Sequence, residues 1–241
     1  MTVLWSADFE TGDMSQFRDE MDSNPREDSG IFARAITKAV AHSGVYAMRM
    51  SINSTTVSGC RTFRKRECWL NEQPNYYGAW FYFPAFVKVR GWWNIWQYKS
   101  NLDGKSDVAW KLEVRNPTTD TMALMLVWEL PVDGPRAGDG NQTATIIQQT
   151  PVPLPVAKWV HIQCYLRQSE AYDGQITVWH DGVQVFDEDS VRTKHPGGNQ
   201  NWSVNNYGQG LLTNGKLVKN SLYVDDMCVS TQPIVGNMGM E

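Results

Sequence analysis

An amide and a cation stand two residues apart in the stretch Gly91–Asn101, which reads GWWNIWQYKSN. Successive side chains of an extended strand point to opposite faces, so Gln97 and Lys99 share one face. Trp96 and Tyr98 then point the other way, into a core. An amide N–H and an ammonium group are both donors that suit an anion. We therefore expect this strand to present Gln97 and Lys99 to a negatively charged ligand.

A neighbouring stretch, VAWKLEVRN, extends this surface if the two strands align. Its alternation places Lys111, Glu113 and Arg115 on one face and the apolar residues on the other. Regular alternation in the first strand also puts Trp93 on the side of Gln97. We expect a mixed aromatic and cationic surface with a positive local potential.

A third strand, CRTFRKRE, adds cations whose identity depends on its register. One register contributes Arg64 and Arg66, and the other contributes Arg61 and Lys65. Together with the two strands above, the predicted substrate-binding set is Arg64, Arg66, Trp93, Lys111, Glu113 and Arg115.

The composition narrows the classes of ligand. The formal net charge of −4 gives no general attraction to nucleic acid, so affinity for an anion has to come from a local cluster. The 11 tryptophans are an excess, and their flat faces stack on sugar rings as well as packing in cores. No run of about 18 apolar residues is present, so no segment is predicted to span a membrane.

Alternating apolar and polar residues dominate the chain, and helical periodicity is scarce. The segment QITVWHDGVQVF reads as a hairpin that turns at Asp181-Gly182. About a dozen short strands without intervening helices predict an all-β fold, an antiparallel β-sandwich that forms a single domain over 1–241. Strands beyond those quoted above are predicted at 3–9, 31–40, 45–52, 59–66, 77–86, 121–129, 143–148, 159–168 and 221–229, and 33–41 is alternatively a short helix.

Cysteine usage and the N-terminus leave the compartment open. Cys60 and Cys68 flank a possible hairpin and are candidates for a disulfide, whereas Cys164 and Cys228 are expected to be buried free thiols. The N-terminal stretch MTVLWSADFE has no signal-peptide pattern. We expect a secreted or extracellular protein whose leader is absent from this chain, with a cytoplasmic location as the alternative.

Several segments occur in an order typical of one group of enzymes: ADFETGDMSQF, HSGVYAMRM, RTFRKRE, WNIWQYKS, WVHIQCYLR, GQITVWHDGVQVF and NNYGQG followed by LYVDDMCVST. In this order the chain resembles the concanavalin-like jelly-roll polysaccharide lyases, especially the heparin lyase I-like and glucuronan lyase families. The resemblance covers nearly the whole chain. It implies a jelly roll with a concave groove, acting as a monomer on an acidic polysaccharide or oligosaccharide.

The resemblance further implies β-elimination on a uronic-acid-containing chain. Such a lyase removes the proton on C5 of the uronate and expels the oxygen on C4. The uronate carboxylate has to be neutralised first, because otherwise a second negative charge would build up on the intermediate. Gln97, helped by Arg64 or Arg115, suits this role.

The resemblance also points to the groups that move protons. Tyr207, in SVNNYGQGL, stands where these lyases place a catalytic tyrosine, and nearby cations such as Lys99 would stabilise its anionic form. His42, before the Ser43-Gly44 turn, is a candidate base by position, with His161 in reserve. The predicted catalytic set is Tyr207, His42, Gln97 and Lys99.

Carboxylates near both ends of the chain are candidates for a metal site. Asp8 and Glu10 lie near the start, and Asp225 and Asp226 lie near the end. If the terminal strands pair, these oxygen ligands suit a structural Ca²⁺. No organic cofactor is predicted.

Two other functions use the same fold. A non-catalytic, lectin-like carbohydrate-binding domain would share the tryptophans and cations without acid–base chemistry, and a structural coat protein would bind no sugar. Hydrolysis is disfavoured, because the Glu-x-Asp-x-x-Glu motif that would supply paired carboxylates is missing. Long polar segments at 129–143 and 189–203 are predicted to be loops at the rim of the groove that select the substrate.

Overall fold

The chain folds as antiparallel β-strands with one short 3-10 helix. The computed structural model describes residues 2–20, 32–55, 58–64, 74–102, 105–131, 141–194, 196–217 and 219–234. The helix spans Ser15–Glu20. In chain order the strands are β1 (Val3–Ala7), β2 (Phe32–Thr37), β3 (Ala47–Asn53), β4 (Ser58–Arg64), β5 (Asn75–Tyr82), β6 (Lys88–Leu102), β7 (Lys105–Arg115), β8 (Ala123–Pro131), β9 (Asn141–Ile147), β10 (Trp159–Arg167), β11 (Gly174–His180), β12 (Val183–Val191), β13 (Asn199–Thr213), β14 (Lys216–Leu217) and β15 (Lys219–Ser230).

These strands form two antiparallel sheets. The back sheet has the strand order β12-β11-β10-β5-β15-β3-β2, with β1 paired to β15. The front sheet has the order β14-β13-β6-β7-β8-β9, with β4 paired to β13. The predicted all-β antiparallel sandwich is confirmed, and the terminal strands pair as expected.

Aromatic side chains fill the space between the sheets. The rings of Trp96 on β6 and Trp202 on β13 lie 4.9 Å apart, centroid to centroid. Tyr77 of the back sheet lies 5.3 Å from Trp202 and 5.3 Å from Tyr98. The predicted core positions Trp96 and Tyr98 are thus confirmed. Because polar residues alternate with these aromatics, the outward face of the front sheet is polar.

An irregularity in β6 decides which of its residues face outward. The pairing of β6 with β7 shifts register between Asn94 and Trp96. Ile95 and Trp96 consequently both belong to the core, and Asn94 and Gln97 both lie outside it. A bulged residue reverses the alternation beyond it. The regular alternation assumed from the sequence, which placed Trp93 outward, is wrong.

Among the local predictions, one turn is confirmed and a helix and a loop are corrected. The Asp181-Gly182 turn is confirmed, with φ values of 48° and 78°. Residues 33–41 form no helix, since 32–37 are strand β2. The segment 189–203, which was predicted to be a loop, contains the end of β12 and the start of β13. At the start of β13, Trp202 faces the core between polar neighbours, as in a strand.

Cysteines and membrane propensity add two further facts. Cys164 and Cys228 are buried free thiols, as predicted. Cys68 lies outside the described residues, so its pairing with Cys60 stays a prediction. Within the described ranges, no helix has the length and apolar character needed to cross a membrane.

Candidate functional site

The outward face of the front sheet, hereafter the amide face, carries a chain of hydrogen bonds between polar side chains. Ser203 Oγ donates to Asn205 Oδ1 (3.0 Å), and Asn205 Nδ2 donates to Asn94 Oδ1 (2.9 Å). Asn94 Nδ2 then donates to Gln97 Oε1 (3.1 Å). All four residues are at most 2% exposed. The amide chain, Ser203–Asn205–Asn94–Gln97, therefore fixes the orientation of each of its amides.

This chain ends in a donor without an acceptor. Gln97 is 1% exposed, and no acceptor among the described residues bonds its Nε2. A buried polar group without a partner is costly and uncommon in folded proteins. Because Asn94 occupies the carbonyl oxygen of Gln97, the N–H groups are the part of this amide that has no partner in the described chain. Gln97 thus supplies a preorganised donor for an anionic or carbonyl oxygen.

Tyr207 lies on the same face, beside the amide chain. It pairs across the strands with Asn94, which is bonded to Gln97. Its ring meets the ring of Trp92 edge-on, with centroids 4.5 Å apart. A Cβ on Gly208 would lie 2.6 Å from the carbonyl oxygen of Trp92, so glycine permits the close approach of β13 to β6 here. The structure thereby brings two predicted catalytic residues, Gln97 and Tyr207, to one face.

Two of the predicted cations also lie on the amide face. Lys99 is half-buried, two residues beyond Gln97, and pairs with Asn201 of β13. Arg115 is half-buried on β7, where it pairs with Ala123 of β8. Lys99 and Arg115 therefore stand at different places along the same sheet.

The cationic strand β4 is described at the level of its backbone. Arg64 pairs with Trp202, a core residue, whereas Arg61 pairs with Asn205 of the amide chain. Arg66 lies outside the described residues. The sequence left the register of this strand open. In the structure, position 61 and not position 64 lies opposite the amide chain.

Lys111 is not an unpaired cation. Its Nζ lies 2.9 Å from Glu113 Oε1 and 2.5 Å from Glu129 Oε1. Burial opposes the charge, but the two carboxylates outweigh it and raise the pKa of Lys111 above its ordinary value. One ammonium and two carboxylates give this cluster a net charge of −1. The positive potential predicted here from Lys111 is therefore wrong at this position.

Trp93 does not line the amide face. It is 1% exposed, packs edge-on against Phe83 at 5.6 Å and donates from Nε1 to Asn206 Oδ1 (2.9 Å) in the core. The bulge in β6 shifts the outward position by one residue, to Trp92. The predicted contact of Trp93 with substrate is therefore wrong.

His42 lies on the back sheet, away from the amide face. Its ring stacks on Trp80 of β5 at 3.7 Å, and its Nδ1 lies 2.6 Å from Asp226 Oδ2. His161 tilts against the same Trp80 at 5.1 Å, and burial lowers the pKa of His161 to about 4. Neither histidine can therefore act as the base beside Gln97, and the prediction for His42 is corrected.

The acidic residues near the N-terminus are used in local turns. Asp8 Oδ1 accepts from Gln16 Nε2 at 2.7 Å. Glu10 Oε1 accepts from the backbone N–H groups of Val45 and Tyr46 at 2.9 and 2.8 Å. These carboxylates hold the segments that flank β1 and β3.

The acidic residues near the C-terminus bind a different loop. Asp225 accepts the backbone N–H of His42 at 2.8 Å, and Asp226 accepts the hydroxyl of Ser43 at 2.8 Å. Burial, followed by the neighbouring Asp226, raises the pKa of Asp225 to about 7. In the described part of the chain, no three His, Cys, Asp or Glu side chains are grouped to hold a metal. Asp8, Glu10, Asp225 and Asp226 do not form one ligand set, and the Ca²⁺ prediction rests on the sequence alone.

Sequence reasoning missed several residues of the amide face. No role was predicted for Asn94 and Asn205, although the unusual density of Asn and Gln in WWNIWQ and QNWSVNNYG was a signal. Trp92 was missed because regular alternation was carried back from Gln97, although the polar residues Asn94 and Gln97 stand three positions apart across the bulge. Glu129 was missed because its contact with Lys111 depends on the register of β7 with β8.

Comparison with known proteins places the chain in a sequence family. A family model described as "Polysaccharide lyase" matches residues 9–228. No curated protein sequence matches the chain.

Solved structures share the fold over nearly the whole chain. The endo-β-1,4-glucuronan lyase from the fungus Trichoderma reesei superposes with a TM-score of 0.73 at 16% identity, with 96% of each chain covered. The alginate lyase vAL-1 from Chlorella virus gives a TM-score of 0.62 at 11% identity, covering 95% of this chain and 99% of that one. The alginate lyase from Aplysia kurodai gives 0.59 at 12% identity, covering 96% and 100%.

Proposed function

Because the chain belongs to the polysaccharide lyase family, we propose that the amide face is its active site, where a uronate of an acidic polysaccharide is cleaved by β-elimination. The names of the similar structures support this class of substrate, since one is a lyase of glucuronan and two are lyases of alginate. The chain supplies the residues for the reaction as follows.

The buried donor of Gln97 carries the proposal. A uronate carboxylate that accepts from Gln97 Nε2 gains a hydrogen bond at a position already held by the amide chain. As the C5 proton leaves, negative charge spreads into that carboxylate, and a fixed donor stabilises the developing charge without having to reorganise. The half-buried Lys99 adds positive charge two residues along the same strand.

Tyr207 is the group placed to move the protons. It stands in the row of Asn94, next to Gln97, and its ring is held against Trp92. In the elimination, the C5–H electron pair forms the C4–C5 double bond, the C4–O4 bond breaks, and O4 receives a proton. No water is consumed. A tyrosine on this face can take the first proton as phenolate or give the second as phenol.

The test is formation of the unsaturated uronate on a panel of acidic polysaccharides, followed by its ultraviolet absorbance. We expect the wild-type protein to act on at least one polymer. Tyr207→Phe should lose turnover by about two to four powers of ten, the usual contribution of a general acid–base group, and keep its affinity for oligosaccharide.

The control is Tyr172→Phe, at a tyrosine that is 58% exposed and lies outside the amide face, which should keep full activity. A flat absorbance trace on every polymer, with binding to one of them, would instead make the chain a carbohydrate-binding domain.

A further inference from the structure

We infer that the amide face prefers a chain in which the uronate bound at Gln97 is flanked by an uncharged sugar over a chain of consecutive uronates. This inference rests on the proposed function and names its substrate class. It follows from the cluster Lys111–Glu113–Glu129, which stands beside the reacting position.

The cluster lies one strand away from the buried donor. Gln97 and Lys111 are directly paired across β6 and β7, and Lys111 pairs with Val127 of β8. Neighbouring strands are about 4.8 Å apart, which is close to the length of one sugar ring in a chain. A polysaccharide that crosses the strands with one uronate at Gln97 therefore sets its next sugar against this cluster.

The charge of the cluster disfavours a second uronate there. Lys111 already bonds two carboxylates, at 2.9 and 2.5 Å, and the side chains of Lys111, Glu113 and Glu129 are only 15%, 7% and 27% exposed. A third carboxylate would meet a net charge of −1 in a partly dehydrated setting, where repulsion is weakly screened. Arg115 lies farther along β7, beyond Glu113 as seen from Lys111, and within the described residues no ion pair joins it to Glu113 or Glu129.

The same groups favour an uncharged sugar. Carboxylate oxygens of Glu113 and Glu129 accept hydrogen bonds from sugar hydroxyl groups, and such charge-assisted bonds are stronger than those between neutral groups. The cluster therefore attracts one kind of neighbour and repels the other, and both effects contribute to selectivity.

The test uses two substrates that differ only in charge. Polyglucuronate and alginate are each compared with the same polymer after about half of its carboxylates are chemically reduced to primary alcohols, so that linkage and length are kept. The wild-type kcat/KM per remaining uronate should be about fivefold higher on the half-reduced form of the polymer that is cleaved, equivalent to about 1 kcal/mol. The preference should shrink as NaCl is added, because salt screens the repulsion.

Glu129→Gln tests the cause. It leaves Lys111 paired with Glu113 alone, so the cluster becomes neutral and the preference should fall to near unity. Glu170→Gln is the matched control, since it also removes a carboxylate 3.0 Å from a lysine, Lys194, but in the loop after β10. This control should keep the wild-type preference. Glu113→Gln gives a second variant of the cluster in case Glu129→Gln folds poorly.

The outcomes separate this inference from the proposed function. Cleavage of both polymer forms with equal kcat/KM, or a preference that Glu129→Gln leaves unchanged, overturns the inference and leaves the lyase activity intact. Binding with the expected preference but without any unsaturated product overturns the elimination and leaves the selectivity. Binding to neither form overturns both.

Discussion

At the scale of the residue, the chemistry depends on the amide of Gln97. Its oxygen is occupied by Asn94, and its nitrogen is buried without an acceptor among the described residues. Leaving a donor in this state costs about 1–3 kcal/mol of stability. A ligand carboxylate that accepts from Gln97 Nε2 would offset this cost, so the same feature that weakens the free protein favours the complex.

Replacement of Gln97 by glutamate tests this role with almost no change of shape. Gln97→Glu removes the donor and sets a carboxylate against the uronate. We expect kcat to fall by about 10²–10³-fold, as when one preorganised donor to a developing anion is lost. The measurement is the initial rate of ultraviolet absorbance. Gln149→Glu, at an exposed glutamine, is the control and should keep its rate. Activity within twofold of wild type in Gln97→Glu would remove the glutamine from the mechanism.

At the scale of the element, the segment between β2 and β3 is fastened to β15 on the back sheet. His42 and Ser43 bond the adjacent carboxylates Asp225 and Asp226, and the ring of His42 stacks on Trp80. The motif HSG, which the sequence offered as a catalytic position, therefore has a structural role.

Two groups of this region shift stability in opposite directions over nearly the same range of pH. The pKa of Asp225 is raised from 3.8 to about 7, so its contribution to stability is lost as pH rises through that interval. The pKa of His161 is lowered from 6.5 to about 4, so its contribution is lost as pH falls through that interval. Between about pH 4 and 6.5 the two effects oppose each other.

Single substitutions should reveal each effect in thermal unfolding between about pH 4 and 6.5. Asp225→Asn leaves the histidine effect, so the melting temperature should rise with pH. His161→Gln leaves the aspartate effect, so the melting temperature should fall with pH. The same slope in both variants would show that the burial of these groups does not control their protonation.

At the scale of the whole molecule, the two outward faces of the sandwich have different roles. The front sheet gathers Gln97, Lys111 and Glu129 from the consecutive strands β6, β7 and β8, and Tyr207 from β13, which is distant in the chain. The back sheet packs aromatic and histidine side chains against the segment that precedes β3. The aromatic core around Trp96 and Trp202 joins the two sheets and keeps the amide face in place.

The sequence was enough to predict the sandwich and most of its strands, because alternation is a local property that burial on one face imposes. It missed β13, which carries Trp202 and Tyr207 and whose first residues were predicted as part of a loop. It was also enough to place Gln97 and Lys99 on one outward face. It failed at Trp93, because the bulge between Asn94 and Gln97 breaks the regular alternation that the prediction assumed. It also failed for His42 and Lys111. The sheet against which the loop of His42 packs depends on the topology, and the contact of Lys111 with Glu129 on the neighbouring strand depends on the register of β7 with β8.

The most direct test of the account is the mass of the products formed in water enriched in heavy oxygen. Elimination consumes no water, so the new reducing end, analysed before its anomeric oxygen exchanges with solvent, should carry only the original oxygen, and the new non-reducing end should be lighter than a saturated uronate by one water. Incorporation of one heavy oxygen at each cleaved bond, with no unsaturated product, would show hydrolysis and contradict the proposed chemistry of the amide face.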